Sequence, residues 1–209
     1  MKFSPAQHRQ LQSWLFGFGI FLGIVLIIIG ILASIKVTPY ATYTDRSSGI
    51  KIKFPAYWKV IDRPKGGALV VFLTPKESAL DAFIENVNIS IKDVSASPMT
   101  PPELSKEIIK QISGTLSGFM TVLESEPIMV AQRPGYRFVY VGDVSKQNLS
   151  AIEAEYGKMD ISNPLKYMFV WVQNSNRVYI ITYVAPKNNF DKYSKQVNEM
   201  VKSFQFISN

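Results

Sequence analysis

The sequence has no cysteine and a single histidine, His8, among its 209 residues. The lack of thiols excludes a disulfide scaffold, a thiolate metal site, a cysteine nucleophile and a lipoprotein anchor, because each of these requires cysteine. Since His8 lies in the first ten residues, imidazole chemistry is excluded from the rest of the chain. No phosphate-binding loop or dinucleotide-binding fingerprint is present. We therefore expect a protein without catalytic residues, enzymatic activity or a cofactor.

The sequence also lacks a strong local excess of charge of either sign. The 23 basic and 16 acidic residues give a net charge of +7, and the basic residues are spread along the chain. Nucleic-acid binding usually requires a clustered basic surface, so no nucleic-acid partner is expected. A hydrophobic fraction of 47% excludes a disordered chain.

One long hydrophobic run is present, at residues 14–35, after a short N-terminal tail of residues 1–13. It carries no charge, and as a helix it would be roughly 33 Å long, enough to cross a hydrocarbon core of about 30 Å. The alternative is a cleaved signal peptide. Its apolar region would span about 7–15 residues, and the sequence near Ala33 fits a small-x-small cleavage site poorly. The run therefore predicts one transmembrane helix.

The charges that flank this run set the expected orientation. Lys2 and Arg9 precede it, and Lys36 and Arg46 follow it, so the positive-inside rule is nearly balanced. Because long domains cross membranes largely regardless of their charge, we expect the N-terminus inside the cell and the following domain outside. The predicted location is the cell membrane, with a single span and an extracytoplasmic domain.

Three glycines of the predicted span lie on roughly one helix face: Gly19, Gly23 and Gly30. The spacing of the first two lets helix backbones approach closely, so pairing with a copy or with a partner subunit is one interpretation. The other is that glycine is simply common in membrane helices.

The remaining chain divides into a polar connector at residues 36–48 and one soluble domain at residues 49–209. Strand patterns dominate this domain, as in residues 86–92, where apolar and polar residues alternate strictly. Residues 167–173 and 178–184 predict a hairpin around a turn at residues 174–176. The other expected strands are residues 50–54, 57–61, 68–74, 121–123, 128–132 and 136–143.

Two helices are also predicted. Thr100 and Glu103 form a capping box, after which apolar residues follow at helical spacing. A second helix is expected from Asn188 or Asn189, with an apolar stripe from Phe190 to Phe204. Short strands joined by tight turns favour an α+β fold, with an antiparallel sheet packed between helices.

Several segments of the domain resemble the PsbP-like domains of the PsbP/Mog1 type. Residues 49–58 resemble their opening motif, and residues 87–91 resemble their second-strand motif. Residues 178–186, 190–193 and 200–204 resemble their closing hairpin and helix. The resemblance implies an α/β/α sandwich and a non-enzymatic accessory, stabilising or assembly role in a membrane complex. This chain differs from the photosynthetic members because it has a predicted transmembrane span and no histidine in the domain.

The candidate binding residues are acidic. Glu124 and Glu126 share a strand face, and Glu153, Glu155 and Asp160 form a second group; such oxygen ligands could hold a hard cation such as Ca²⁺. Solvated surface charge is the alternative, since the spacing of a calcium-binding loop is absent.

Two further features bear on export and partners. Asn88 and Asn148 begin glycosylation sequons, which also occur by chance. Residues 144–164 form a long connection that either contacts a partner or packs back on its own sheet.

These observations lead to two hypotheses about function. The first is an accessory subunit that contacts the lipid bilayer and other subunits of a membrane complex, through its exported domain and its helix. The alternative is an independent exported domain that binds a small ligand or a hard cation. A hydrolase that uses carboxylates alone is the least favoured, because no general acid–base pair is recognisable.

Overall fold

The computed structural model describes residues 39–76, 84–96, 99–115, 120–142 and 164–207. Several predicted features lie outside these residues: the tail, the membrane span with its three glycines, Asn148, and the acidic group Glu153, Glu155 and Asp160. Within the described residues, no helix is both long and apolar enough to cross a bilayer.

Ten strands and two helices make up the described part of the chain. The strands are β1 (Tyr40–Asp45), β2 (Ile50–Pro55), β3 (Lys59–Asp62), β4 (Val70–Leu73), β5 (Asn86–Asp93), β6 (Met120–Val130), β7 (Arg133–Gly142), β8 (Leu165–Asn174), β9 (Arg177–Pro186) and β10 (Gln205–Phe206). The helices are α1 (Pro101–Thr115) and α2 (Phe190–Ser203).

The strands form two sheets in which every neighbouring pair is antiparallel. The small sheet has the order β1-β2-β10, and the large sheet has the order β3-β4-β5-β9-β8-β7-β6. β6 is therefore one of the two outer strands of the large sheet. The α+β class and the antiparallel sheets predicted from the sequence are confirmed.

The pleat of the large sheet separates two hydrophobic cores. In β9, Val178 belongs to one core and Tyr179 to the other, as expected for side chains that alternate between faces. The larger core includes the buried residues of α2, such as Val197 and Met200, together with the inner face of β2. The smaller core includes Leu104 of α1 and lies on the opposite face. The two helices thus cover opposite faces of the sheet.

The predicted start of α1 is confirmed by its cap. The Glu103 carboxylate accepts hydrogen bonds from the Thr100 backbone N–H at 2.8 Å and from the Thr100 hydroxyl at 2.7 Å. The predicted hairpin is also confirmed, because β8 and β9 pair from Leu165 and Pro186 to the turn between Asn174 and Arg177.

Three elements differ from the prediction. β1 lies in the segment predicted as a connector, so the folded domain begins earlier than the sequence indicated. β6 is one strand with a bulge at Leu123, where two short strands were expected. α2 ends at Ser203, after which Phe204 adopts extended geometry and β10 pairs with β2.

Candidate functional site

An open groove lies between the β6–β7 turn and the C-terminal end of α2. Its volume is about 660 Å³, within the range of roughly 300–1,000 Å³ that is typical of ligand pockets. The residues that line the groove are Met129, Ala131, Gln132, Arg133, Lys202, Phe204, Gln205 and Phe206.

The β6–β7 turn forms one wall of the groove. Ala131 and Gln132 both have positive φ, 49° and 60°, as in the tight two-residue turns whose twist matches that of the flanking strands. The turn leaves Met129 and Arg133 on either side of it. The Met129 side chain is 66% exposed.

The opposite wall is held by aromatic packing. The Phe206 ring lies 5.0 Å from the Tyr179 ring and 5.3 Å from the Phe204 ring, measured between centroids. β10 also pairs with β2, where Gln205 opposes Lys51. This wall is therefore continuous with the larger core and does not depend on a loop.

The groove carries positive charge. The Arg133 guanidinium carbon lies 5.6 Å from the centroid of the Phe206 ring, a cation–π distance. The Lys202 ammonium contacts the Glu199 carboxylate at 2.9 Å. No carboxylate is among the residues that line the groove. The groove therefore suits a ligand that has an acidic or polar group and, next to it, an apolar group that can contact Met129.

Two further exposed apolar side chains lie on the outer strand, separated from Met129 by residues 124–128. Val122 and Leu123 of β6 are exposed like Met129. We call these three residues, together with the groove, the β6 surface. Pro127 also lies in β6. Proline cannot donate a ladder hydrogen bond, which fits an outer strand. The combination of apolar side chains with a cationic groove is suited to contact with another protein.

The predicted acidic pair, Glu124 and Glu126, lies on the face of β6 that also carries Arg137 of β7. The Arg137 Nε atom lies 2.9 Å from Glu124 Oε2, and Arg137 Nη1 donates to Asn198 Oδ1 of α2 at 3.2 Å. A guanidinium thus occupies the place that a cation would take at Glu124. Among the described residues, no group of three or more acidic or histidine side chains could hold a metal ion.

The sequon residue Asn88 lies in β5, between β4 and β9, and is half-buried. The second sequon and the second acidic group lie outside the described residues. Of the predicted site residues that the structure describes, Glu124 and Glu126 lie together on β6, and Asn88 lies apart from them on β5.

A polar cluster that the sequence did not reveal joins the two sheets. The Asp45 carboxylate accepts hydrogen bonds from Ser47 Oγ at 2.6 Å, the Ser48 N–H at 2.8 Å and Arg63 Nη2 at 2.5 Å. Burial pushes the pKa of Asp45 upward, but the bonds from both serines and the charge of Arg63 outweigh it and hold that pKa below its ordinary value of 3.8.

The same cluster contains Tyr43, whose hydroxyl donates to Asp62 Oδ1 at 2.6 Å. Burial, and then this bond to Asp62, raise the pKa of Tyr43 above its ordinary value. An activated nucleophile would show the opposite change. We therefore regard the cluster as a structural clamp.

The groove was not predicted from the sequence, because the groove combines segments that are distant in the chain. Residues 131–132, which form the β6–β7 turn beside the groove, were predicted as the end of a strand at residues 128–132.

The fold is similar to several solved structures at low sequence identity. CyanoP, the PsbP of the cyanobacterium Synechocystis sp. PCC 6803, is 15% identical with a TM-score of 0.54, and the match covers 83% of this chain and 95% of CyanoP. The Ran-binding protein Mog1p of Saccharomyces cerevisiae is 10% identical with a TM-score of 0.53, over 82% and 97% of the two chains.

A third neighbour is LpqN, involved in cell envelope biogenesis of Mycobacterium tuberculosis. It is 8% identical with a TM-score of 0.51, and the match covers 81% of this chain and 86% of LpqN. A search of curated proteins found no significant match. The PsbP family model matches residues 38–206, which include both sheets and both helices. This chain therefore belongs to the PsbP family.

Proposed function

We propose that this chain is a non-catalytic accessory subunit of a membrane protein complex, anchored by residues 14–35, with its PsbP-like domain outside the cell membrane. It stabilises or assembles the complex through protein–protein contacts of that domain, and its membrane helix pairs with partner helices through Gly19, Gly23 and Gly30.

The observation that carries this proposal is the β6 surface. It combines an exposed Met129 with the cationic groove of Arg133, on an outer strand that also exposes Val122 and Leu123 further along, beyond Glu124 and Glu126. Exposed apolar groups rimmed by polar ones mark interaction sites. Membership of the PsbP family supports a non-catalytic role.

The alternative, a stand-alone domain that binds a cation, is less well supported. Glu124 is already paired with Arg137, and the groove presents cations rather than carboxylates. A small anionic ligand in the groove would fit its charge, so the experiment must distinguish a ligand from a protein partner.

The test is the native mass of the full-length protein after extraction from its own membranes in mild detergent. We expect co-migration with a larger assembly. The double variant Met129→Asp/Arg133→Glu should leave the assembly, because it places charge on the apolar side chain and reverses the charge of the groove.

The matched control is Lys65→Glu, a charge reversal at the exposed turn between β3 and β4. It should remain in the assembly. A wild-type protein that migrates alone, with a melting temperature that rises on addition of a metal or a small anion, would refute the subunit role and favour the binder.

A further inference from the structure

One end of the small sheet presents an apolar tip formed by Pro39, Tyr40, Ala56 and Tyr57. The Ala56 N–H donates to the Pro39 carbonyl at 2.8 Å, which ties the two segments together. Tyr40 is 39% exposed and Tyr57 is 47% exposed. Apart from this tip, the large hydrophobic residues that stay exposed in the described part of the chain are those of the β6 surface.

The tip is held in place by the core behind it. Trp58 is buried, and its ring centroid lies 5.7 Å from that of Tyr193 in α2. The Trp58 backbone N–H donates to the Pro55 carbonyl at 2.9 Å. This turn presents Tyr57 to the outside. In β1, Ala41 packs on the core, so its neighbour Tyr40 lies on the outer face.

If the predicted span is the anchor, the length of the chain limits how far the tip can lie from the bilayer. The predicted membrane span ends at Ile35, and five residues later the chain reaches Tyr40. At no more than about 3.6 Å per residue, this stretch spans at most about 18 Å. The headgroup layer on each side of a bilayer is roughly 5–8 Å thick. β1 therefore begins within reach of the membrane surface, inside the segment that the sequence predicted as a connector.

The side chains of the tip suit that location. Tyrosine is enriched where membranes meet water, because its ring is apolar and its hydroxyl is polar. The exposed Lys59 follows directly in β3, and the exposed Lys192 lies with its ammonium 5.6 Å from the Tyr193 ring that packs on Trp58. Such cations attract phospholipid headgroups.

We propose that Pro39, Tyr40, Ala56 and Tyr57 form a lipid-binding tip that inserts into the interfacial layer of the bilayer beside the anchor. This inference rests on the anchor of the proposed function. It adds a second membrane contact, made by the folded domain itself. This contact would set the orientation of the domain relative to the membrane.

The tip and the groove lie at opposite ends of β2. Tyr40 pairs with Pro55 at one end, and Phe206 pairs with Ile50 at the other. A strand of this length separates its ends by about 17 Å. With the tip in the lipid, the groove is held away from the headgroups at the end of β2 that a partner protein can reach.

The absence of cysteine makes the test direct, because one introduced thiol can be labelled alone. The full-length Ala56→Cys variant, labelled with a fluorophore, is reconstituted into vesicles of phosphatidylcholine and phosphatidylglycerol. These vesicles contain lipids that carry a nitroxide quencher close to the glycerol backbone. The control carries the same label at Gln132→Cys, in the groove. Alkaline carbonate extraction of both variants reports separately on the anchor.

We expect carbonate-resistant protein with strong quenching at position 56 and none at position 132. Adding Tyr40→Ser and Tyr57→Ser to the Ala56→Cys variant should abolish the quenching while the protein stays in the membrane. Carbonate-resistant protein without quenching at position 56, or with equal quenching at both positions, overturns the tip and leaves the anchor intact. Release by carbonate overturns the anchor and, with it, the proposed function.

Discussion

Gly135 is the residue at which the structure predicts the sharpest effect of one added methyl group. It is buried in β7, opposite Ile128 of β6 and Val172 of β8. A Cβ atom at this position would lie 2.5 Å from the Trp171 carbonyl oxygen and 3.3 Å from Val130 Cγ2. The first distance is far below van der Waals contact, and its partner is backbone, which cannot rotate away.

Gly135→Ala must therefore push β8 away from β7, the strand beside the outer strand β6 of the large sheet. Overpacking of a core typically costs about 1–3 kcal/mol, and because the obstacle is a strand backbone we expect the upper end, about 3 kcal/mol. The measurement is urea unfolding of the domain from Pro39 onward, which is a compact unit by itself. The midpoint should fall substantially with little change in the slope.

The control is Gly67→Ala. Gly67 has φ +84°, and a Cβ there would have open space around it. Its cost comes from left-handed backbone alone, about 1–2 kcal/mol. Gly135→Ala should therefore be the more damaging of the two. A Gly135→Ala domain as stable as the wild type would refute the packing of β7 against β8 described above.

Three further predictions concern single side chains. Asp45→Asn should lower the free energy of unfolding by about 1–3 kcal/mol at pH 7, because the Arg63 pair and two hydrogen bonds weaken. Since the folded pKa of Asp45 lies below 3.8, its contribution is complete above that value and is lost as the pH falls through the folded pKa; the gap between wild type and variant in urea unfolding should shrink there. Trp171→Phe should cost clearly less than Trp171→Ala, for which we expect about 3–5 kcal/mol by thermal unfolding, because the buried indole N–H has no hydrogen-bond partner among the described residues. Added Ca²⁺ should not change the melting temperature of the wild type or of Glu124→Gln, because Arg137 already pairs with the Glu124 carboxylate. A calcium-dependent rise in the wild type that the variant lacks would contradict this.

Local patterns predicted much of the fold. The alternation in β5, the cap at Thr100 and the turn between β8 and β9 depend on residues close together in sequence, and each was recovered. β1 was missed because its polar residues are stabilised by pairing with β2, which only the folded chain provides. β10 was missed because two residues are too few to show a period.

The candidate site was harder to predict than the fold. The groove joins residues 129–133 to residues 202–206, so no single window of sequence contains it. β6 appeared as two strands because Glu124 and Pro127 interrupt its apolar pattern, and the structure shows that an outer strand tolerates both. The acidic pair was correctly placed on one face, but its partner Arg137 could be identified only from the register of β6 and β7.

The most direct test of the proposed function is photo-crosslinking from the β6 surface in the native membrane. The full-length protein would carry a photoreactive amino acid at Met129 or, as a control, at Lys65. The account predicts an adduct with another membrane-complex subunit from position 129 and none from position 65. No adduct from position 129, or the same adducts from both positions, would contradict it.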